Sequence, residues 1–445
     1  MTVSQTAEPP VAHVRPSARL RGDLYLPGDK SVSHRALILA AAAEGESLIR
    51  GAGDGADVRS TAGIVAALGA TVERLAEARA GRGATVDYRV TSPGAAGLHE
   101  PRAILDCGNS GTSLRLMTGF LAGLPMTCVL DGDASLRGRP VARIIEPLRS
   151  MGAVLHGRRN DSLPPLTVIG RTPLRAIDVA TSVPSAQVKS ALLLAGLFAE
   201  GTTAVIEPVR TRDHTELMLR TMGADITSDG ERTEVRKATR LKPIDIEVPG
   251  DLSAASFWLV AGALVPGSTV HIPEVGFNPT RTAFVQLLRE SGFSIHVSRE
   301  RVSGGEPVAD LTVHWSPEWH PMEVSGGAAA EMIDELPILA VAATQLPGVS
   351  RISGAAELRV KESDRIAAIA EGLTAMGANI TANDDGWTIE GISPLHGARV
   401  HSHGDHRVAM ALAVAGLMAE GETEIEDAEC VEISYPEFFD QLESL

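Results

Sequence analysis

The hydrophobic positions of this 445-residue chain follow a pattern that repeats along its length. Stretches rich in Ala and Leu end at a Gly and continue into a run of Thr, Val and Ile, which is typical of a buried helix followed by a strand. Six such stretches occur, at residues 37–45, 116–123, 191–201, 257–267, 338–348 and 410–421. Their final glycines lie 66 to 81 residues apart, which indicates six similar units.

A second helix is predicted between successive buried stretches. Its apolar residues recur at helical spacing, and it ends at a glycine, where a left-handed cap is expected. These stops are Gly69, Gly152, Gly223, Gly292 and Gly377, and a β-forming run follows each one. The last copy, at 438–445, is predicted to be a helix without the stop. Each unit is therefore predicted to be helix, strand, helix, strand, strand over about 75 residues, which is too long for a solenoid repeat.

Two Pro-Gly-Asp turns divide the six units into two groups of three. One turn, at 27–29, precedes the first unit, and the other, at 249–251, precedes the fourth. Pro-Gly interrupts regular structure and turns the backbone tightly. We therefore predict an α/β protein with a first domain at residues 28–249 and a second at 250–445. The N-terminal tail and strand at 1–27, with a strand predicted at 24–26, are expected to join the second domain. A small ligand is expected in the cleft between the domains.

Charge and cysteine content narrow the class of protein. A net charge of −16 argues against binding to nucleic acid or to an anionic membrane surface. Three cysteines without a CxxC pair favour a reducing compartment, so we expect a cytoplasmic protein, and we expect it to be a monomer. The first 16 residues lack the apolar core of a signal peptide, and no run of 18 apolar residues predicts a membrane span.

A different polar cluster precedes each buried stretch. The first contains Lys30, Ser31 and Arg35 near a predicted helix N-terminus, where backbone N–H groups and the helix dipole favour an anion. The others lie at 107–112, 185–189, 251–253, 332–335 and 404–407. Taken singly, such residues are more often helix caps or solvated charges. Their shared position in the repeat favours one anion-binding site that contains Asp334.

One segment imitates a metal site. His401, His403, Asp405 and His406 match the HxHxDH pattern of two-metal hydrolases. That site needs further histidine and carboxylate ligands downstream, but only 39 residues follow His406 and none of them is His. The segment also occupies the polar-cluster position of the sixth unit. We therefore predict no metal site.

Several motifs resemble those of the enolpyruvyl transferase family. Residues 28–35 match G-(S/D)-K-S-x-S-(N/H)-R, 358–365 match LRxKESDR and 405–410 match DHRxAM. Residues 109–112 with Arg115 are similar to the NAGT-x-x-R loop, and 137–140 to an x-x-RP segment. The resemblance covers essentially the whole chain after the tail. It implies two similar domains, each an inside-out α/β barrel of three repeated βαβαββ-type units, with the active site between them.

The resemblance also implies a reaction. The carboxyvinyl group of phosphoenolpyruvate would pass to the 5-hydroxyl of shikimate 3-phosphate with release of phosphate, a step of aromatic amino acid biosynthesis. Asp334 would be the base at the hydroxyl, and Lys30 and Glu362 would move protons. The two substrates are the expected partners, and neither a metal nor an organic cofactor is implied.

The binding residues implied by the resemblance form two groups. Shikimate 3-phosphate would be held by Lys30, Ser31, Arg35, Ser185, Ala186, Gln187, Arg212, Asp334 and Lys361. Phosphoenolpyruvate would be held by Lys30, Gly111, Arg139, Gln187, Arg365 and Arg407. Arginine suits both substrates because its guanidinium pairs bidentately with phosphate and carboxylate oxygens.

Four further motifs, at 28–30, 185–189, 212–216 and 278–281, are similar to the second class of these enzymes. Members of this class that tolerate the inhibitor glyphosate can carry Ala where Gly111 stands, so tolerance is open. Two other activities are also open: transfer to UDP-N-acetylglucosamine on the same fold, and binding of a phosphometabolite without catalysis. Ser31 directly after Lys30 argues against the first, because the sister enzyme usually carries Asn there. The intact set of Lys30, Asp334 and Glu362 argues against the second.

Overall fold

The structure is a computed structural model that describes residues 11–75 and 85–445. These residues form the helices α1 (Lys30–Ala42), α2 (Ala56–Ala67), α3 (Gly111–Ala122), α4 (Ala142–Ser150), α5 (Arg158–Asp161), α6 (Ala186–Gly196), α7 (His214–Thr221), α8 (Leu252–Leu264), α9 (Ala283–Glu290), α10 (Gly326–Glu331), α11 (Leu336–Ala343), α12 (Arg365–Ala375), α13 (His406–Gly416) and α14 (Phe438–Ser444). Short 3-10 helices lie at Ala95–Gly97, Leu136–Gly138, Ala356–Val360 and Ala428–Ile433.

Two strands precede α1, and the others lie between the helices. They are β1 (Val11–Val14), β2 (Arg21–Asp23), β3 (Glu44–Gly53), β4 (Thr71–Leu75), β5 (Thr85–Pro93), β6 (Leu105–Asp106), β7 (Thr127–Asp131), β8 (Val154–Gly157), β9 (Leu163–Ile169), β10 (Leu174–Arg175), β11 (Asp178–Ala180), β12 (Ala199–Glu200), β13 (Thr202–Ile206), β14 (Ile226–Ser228), β15 (Arg232–Arg236), β16 (Asp245–Glu247), β17 (Thr269–Gly276), β18 (Ser294–Ser303), β19 (Glu306–His314), β20 (Glu323–Val324), β21 (Gly348–Ile352), β22 (Asn379–Asn383), β23 (Gly386–Gly391), β24 (Arg399–His401) and β25 (Thr423–Glu426).

The stretches rich in Ala and Leu form α1, α3, α6, α8, α11 and α13. Most side chains of these helices are buried, and every residue of α8 is. Five of the helices begin after a residue whose side chain accepts a hydrogen bond from a first-turn backbone N–H, namely Asp29, Ser110, Ser185, Asp251 and Asp405. Five of the predicted polar clusters therefore contain a helix N-cap, which pairs a backbone donor that the helix itself leaves free.

The predicted amphipathic helices are α2, α4, α7, α9, α12 and α14. The glycines that end the first five lie in the left-handed region, with φ between 84° and 105°. Within the described residues, no helix combines the length and the hydropathy that a membrane span needs.

Six sheets follow one arrangement, in which an edge strand pairs in parallel with its neighbour and antiparallel strands complete the sheet. The strand orders are β16-β3-β5-β4, β6-β7-β9-β8, β11-β13-β15-β14, β2-β17-β19-β18, β20-β21-β23-β22 and β24-β25-β1. In the second, third and sixth sheets the edge strand directly precedes the buried helix, as the βαβαββ pattern predicts, and in the fifth sheet the short helix α10 lies between the edge strand β20 and the buried helix α11. A further short pair, β10 and β12, is parallel.

The first and fourth sheets exchange their edge strands. β16 pairs with β3, although it precedes α8 in the chain, and β2 pairs with β17, although it precedes α1. The two exchanging segments meet where Gly28 and Gly250 form an isolated bridge. A Cβ on Gly28 would lie 2.0 Å from the carbonyl oxygen of Gly51, so no larger residue fits at the crossing.

The prediction of a strand at 24–26 is wrong by a few residues. The strand is Arg21–Asp23, and residues 24–26 lie outside it. Leu24 donates one backbone hydrogen bond to the carbonyl of His271, at 2.8 Å, beyond the end of the strand. The side chains of Leu24 and Leu26 are buried in the core, and the chain then leaves the sheet for the crossing at Gly28.

The buried apolar residues form two cores. One contains residues between 32 and 248, and the other contains residues between 252 and 438 together with four residues between 14 and 26. We call residues 28–249 the first half and residues 250–445 the second half. β1 and β2 lie in sheets of the second half. These two cores support the predicted domain division, which we retain as a proposal.

A close contact between two helices of the first half gives a stability prediction. A Cβ on Gly119 in α3 would lie 2.1 Å from the carbonyl oxygen of Ala191 in α6. Gly119→Ala forces the two helices apart, so we expect it to lower the free energy of unfolding by about 1–3 kcal/mol, measured by urea titration.

Gly63→Ala is the matched control, because Gly63 lies in α2 and a Cβ added to it would meet no neighbouring atom within 4 Å. It should raise the free energy of unfolding by up to about 1 kcal/mol through helix propensity. Equal effects of the two substitutions would contradict the packing argument.

Candidate active site

A cavity of about 510 Å³ lies between the two halves. Every site residue predicted from the sequence lines it: Lys30, Ser31, Arg35, Gly111, Arg139, Ser185, Ala186, Gln187, Arg212, Asp334, Lys361, Glu362, Arg365 and Arg407. The set comes from both halves, so the cavity needs both for its walls. The individual roles of these residues stay predictions.

Helix N-termini supply much of the cavity wall. α1 begins at Lys30, α3 at Gly111, α6 at Ala186 and α12 at Arg365, and each of these residues lines the cavity. The first-turn N–H groups and the positive end of each helix dipole therefore lie at the cavity. This arrangement favours anions in addition to what the side chains contribute.

Asp334 lies between α10 and α11 and contacts cations from both halves. Its Oδ2 accepts a hydrogen bond from Nη2 of Arg212 at 2.7 Å. Nζ of Lys361 and Nη1 of Arg365 lie 3.7 and 3.5 Å from its Oδ1, and Arg407 donates to its backbone carbonyl at 2.9 Å. Burial alone would raise the pKa of Asp334, but these four cations outweigh burial and hold the pKa well below its usual range.

Glu362 is the second carboxylate of the site. Its Oε2 accepts from Nη2 of Arg365 at 2.6 Å, and its Oε1 accepts from Nη1 of Arg139 at 3.3 Å. Arg139 belongs to the first half, so this contact also crosses the cavity. Burial alone would raise the pKa of Glu362, but Arg365 and Arg139 lead the cations that hold it well below its usual range.

Lys30 contacts one carboxylate from each half. Its Nζ lies 3.2 Å from Oδ2 of Asp57, and its backbone N–H donates to Oδ2 of Asp251 at 3.1 Å. Burial raises the pKa of Asp57, and Lys30 opposes that rise. Asp57 is not among the residues predicted from the sequence. In the sequence it is an ordinary carboxylate in the first turn of an amphipathic helix, a common and unspecific position.

Two arginines predicted to bind phosphoenolpyruvate are fixed by neighbouring oxygens. Nε of Arg365 donates to Oδ2 of Asp405 at 2.7 Å, and Nη2 of Arg139 donates to Ser135 Oγ at 3.2 Å. Nη1 of Arg365 and Nε of Arg139 are buried donors without a hydrogen-bond partner among the described residues. Such donors have bonding capacity left for a ligand.

Arg35 is held by hydroxyls beneath the cavity. It donates to Thr215 Oγ1 and to Ser190 Oγ, both at 2.8 Å. Burial lowers the pKa of Arg35 to about 10, so the side chain is charged at neutral pH. The cation is therefore ready for an anionic ligand.

Arg115 stands in a motif but has no predicted role. Its Nη1 donates to Oε1 of Gln187 at 2.7 Å, and burial lowers its pKa to about 9. A Cβ on Gly111 would lie 2.7 Å from the same Nη1, so Ala at this position would displace the guanidinium. Arg115 thus links the two predicted phosphoenolpyruvate residues Gly111 and Gln187.

An ion pair between Arg143 and Glu357 crosses the cavity, and neither residue was predicted from the sequence. Nη2 of Arg143 donates to Oε1 of Glu357 at 2.9 Å, and both residues line the cavity. They are 214 positions apart in the chain, and no local signal relates them. A structure is needed to find such a pair.

The histidines of the HxHxDH segment have separate partners. Nε2 of His401 lies 3.0 Å from Asp427, and Nε2 of His403 lies 3.1 Å from Glu371. Burial leads the causes that hold the pKa of His406 well below its usual range. In residues 11–75 and 85–445, no group of three or more His, Cys, Asp or Glu residues is arranged to hold a metal ion.

Comparison with known proteins identifies the family of the chain. The family model of EPSP synthase (3-phosphoshikimate 1-carboxyvinyltransferase) matches residues 14–442. The chain belongs to the EPSP synthase family. The 3-phosphoshikimate 1-carboxyvinyltransferase of Gloeobacter violaceus is 51% identical over 430 residues, which cover 96% of this chain and 97% of the relative. That of Bacillus thuringiensis (strain Al Hakam) is 45% identical over 426 residues, which cover 96% and 97%.

Solved structures place the fold in the same family. The EPSP synthase of Acinetobacter baumannii matches with a TM-score of 0.83 at 38% identity, over 98% of both chains. The enolpyruvyl transferase NikO of Streptomyces tendae shares the fold, with a TM-score of 0.77 at 20% identity over 99% of this chain and 98% of the other. The predicted α/β fold and the resemblance to enolpyruvyl transferases are thus confirmed.

The lowered pKa of Glu362 in this EPSP synthase family member predicts a pH-dependent stability. A carboxylate whose pKa is lower in the folded state contributes stability above its unfolded pKa of about 4.3, and that contribution is lost as the pH falls through the folded pKa. Glu362→Gln should therefore unfold more easily than the wild type at pH 7. We expect the difference in free energy of unfolding to shrink steadily below about pH 4.3, measured by urea titration at several pH values.

Glu420→Gln serves as the control, because the side chain of Glu420 is 90% exposed. Its free energy of unfolding should differ little from the wild type at any pH. A Glu362→Gln deficit that stays constant down to about pH 3 would contradict the lowered pKa.

Proposed function

We propose that the chain transfers the carboxyvinyl group of phosphoenolpyruvate to the 5-hydroxyl of shikimate 3-phosphate, which gives EPSP and phosphate. One observation carries the proposal: the ionised Asp334 lies in a cation-lined cavity, where it contacts Arg212 of the first half and Lys361 and Arg365 of the second. Two polyanionic substrates and one hydroxyl that must lose a proton require this combination of cations and a carboxylate. The names of the relatives support the same reaction.

Shikimate 3-phosphate is assigned to the part of the cavity around the N-termini of α1 and α6. The residues assigned to this part of the proposed site are Lys30, Ser31, Arg35, Ser185, Ala186, Gln187 and Arg212 of the first half, with Asp334 and Lys361 of the second. Arg35 and the two helix N-termini provide positive charge for the phosphate. Asp334 then stands at the end of the substrate that carries the reacting hydroxyl.

Phosphoenolpyruvate is assigned to Arg139, Arg365 and Arg407, with Lys30, Gln187 and the backbone of Gly111. Three guanidiniums match its phosphate and carboxylate, each of which accepts bidentate pairs. The buried donors Nη1 of Arg365 and Nε of Arg139, which lack a hydrogen-bond partner among the described residues, support this assignment.

The proton steps are assigned to Asp334, Lys30 and Glu362. The oxygen of the 5-hydroxyl attacks carbon 2 of phosphoenolpyruvate as Asp334 accepts the hydroxyl proton, while carbon 3 gains a proton from the ammonium of Lys30. Loss of phosphate from the tetrahedral intermediate then releases a proton from carbon 3 to the Lys30 amine or to the Glu362 carboxylate, and the proton held by Asp334 passes to the leaving phosphate. When the anionic shikimate 3-phosphate binds Arg212 and Lys361, its charge offsets theirs and raises the proton affinity of Asp334.

No cofactor enters this scheme, and phosphoenolpyruvate and shikimate 3-phosphate are the proposed partners. We also propose that the chain acts as a monomer in the cytoplasm. One chain supplies all of the cavity walls described above, which supports the monomer. The substrates are small phosphorylated metabolites, and the three cysteines are free thiols, which support the cytoplasmic location.

A phosphate-release assay tests the proposed reaction. The purified protein is mixed with phosphoenolpyruvate and shikimate 3-phosphate, and each substrate is omitted in turn. We expect inorganic phosphate only when both are present, because the leaving phosphate departs from an intermediate that contains both. Release with UDP-N-acetylglucosamine instead would assign the sister activity, and no release with either acceptor would leave a binding protein.

Asp334→Asn tests the role of the carboxylate. The amide keeps the shape of the side chain but cannot accept the hydroxyl proton, so turnover should fall by about 10²–10⁴-fold, measured as kcat in the same assay. Both substrates should still bind to the variant.

Asp178→Asn is the control, because Asp178 also pairs with an arginine, Arg232, but is 58% exposed on the surface. Its kcat should equal that of the wild type. Near-normal turnover of Asp334→Asn would remove Asp334 from the proposed role.

A further inference from the structure

Two of the motifs that resemble the second class of enolpyruvyl transferases, residues 212–216 and 278–281, contact each other across the two halves. Nδ2 of Asn278 donates to Oδ1 of Asp213 at 2.7 Å and lies 3.4 Å from Oε2 of Glu306. Nδ1 of His214 lies 2.9 Å from Oε1 of Glu306. The two residues that follow Arg212 in the chain thus both contact the second half, as Arg212 itself does.

These contacts are buried. Asn278, His214 and Glu306 are each only 2% exposed. A buried polar group that loses its partner stays desolvated without a hydrogen bond to compensate. The contacts therefore specify how residues 212–214 sit relative to the second half.

The hairpin that carries Glu306 is fixed by close packing. Gly304 and Gly305 form the turn between β18 and β19, with φ of 58° and 90°. A Cβ on Gly304 would lie 2.5 Å from Cγ1 of Ile246, and a Cβ on Gly305 would lie 2.7 Å from Oγ1 of Thr221. Only glycine allows this turn of the second half to lie directly against β16 and α7 of the first.

The segment around Arg212 is anchored on its other side by a buried lysine. Nζ of Lys189 lies 2.7 Å from both Glu207 and Glu216, and it donates to the backbone carbonyl of Thr211 at 3.3 Å. Lys189 is 2% exposed. The two neighbours of Arg212 in the chain are therefore held from different halves. Thr211 is bonded to Lys189 of the first half, and Asp213 is bonded to Asn278 of the second.

We propose that Asn278 and Glu306 are positioning residues for shikimate 3-phosphate, because through Asp213 and His214 they hold the loop that places Arg212 on Asp334. The inference rests on the proposed function. Arginine is a long, flexible side chain, so its 2.7 Å contact with Asp334 depends on where the loop is held. Neither Asn278 nor Glu306 lines the cavity, so they act through the loop and not on the substrate.

Asn278→Ala separates this role from a merely structural one. We expect the KM for shikimate 3-phosphate to rise by about five- to tenfold, which is the effect of losing one typical hydrogen bond. The KM for phosphoenolpyruvate should stay within about twofold of the wild type, since Arg139 is held by Asn109, Ser135 and Glu362 and not by this loop. Equal rises in both KM values, or no rise, would overturn the proposal.

Glu306→Gln is a second variant that keeps the volume of the side chain. It tests the proposal even if Asn278→Ala disturbs the fold. It removes the charge opposite His214, so it should raise the same KM selectively. Arg232→Ala is the matched control, because it removes a surface contact with Asp178 inside the first half. Its KM values should not change.

A double-mutant cycle tests the route through Asp213. In an Asp213→Ala background the bond from Asn278 to Asp213 is already lost, so Asn278→Ala should raise the KM for shikimate 3-phosphate by less than it does in the wild-type background. Fully additive effects would overturn the proposal. A wild type that releases no phosphate would refute the proposed function, whereas an active wild type with unchanged variants would refute only the positioning role.

Discussion

The structure depends on pairing the charges that converge on one buried place. Helix N-termini and guanidiniums gather in the cavity of a chain whose net charge is −16. Unpaired, they would repel one another and lose hydration at a large cost in free energy. Buried carboxylates balance them, and Arg365, which is 1% exposed, lies between Asp405 and Glu362. The cations are thereby held in place before any ligand arrives.

Several of these pairs also connect the halves. Arg212 with Asp334, Arg139 with Glu362 and Arg143 with Glu357 each join a residue of the first half to one of the second. The electrostatic environment of each carboxylate is therefore a property of the whole arrangement and not of either half. An anionic substrate that pairs with one of these cations therefore changes the pKa of the carboxylate that the cation contacts.

The sequence predicts most of this structure, because much of the information is local and repeated. Helix caps such as Ser110 and Asp405 are visible as polar residues before apolar runs, and their shared place in six units predicts one site. What it could not predict depends on contacts between distant segments. Asp57 is an ordinary first-turn carboxylate until Lys30 is placed beside it. The exchange of β2 and β16 has no local signal in the sequence either. Residues 24–26, which were predicted to be a strand, follow the exchanged strand β2 and lie outside it.

The exchanged strands also impose an order on biosynthesis. The first half receives its last edge strand, β16, at Asp245–Glu247, so its sheets can close while the ribosome is still making the remainder. The second half differs, because β1 pairs with β25 at Thr423–Glu426 and β2 with β17. The earliest strands to emerge must therefore wait, unpaired, for their partners, and β1 waits for almost the entire chain. The nascent protein therefore carries unpaired strands through much of its synthesis. Unpaired strand edges are prone to aggregate, so this is the interval in which a chaperone is most useful.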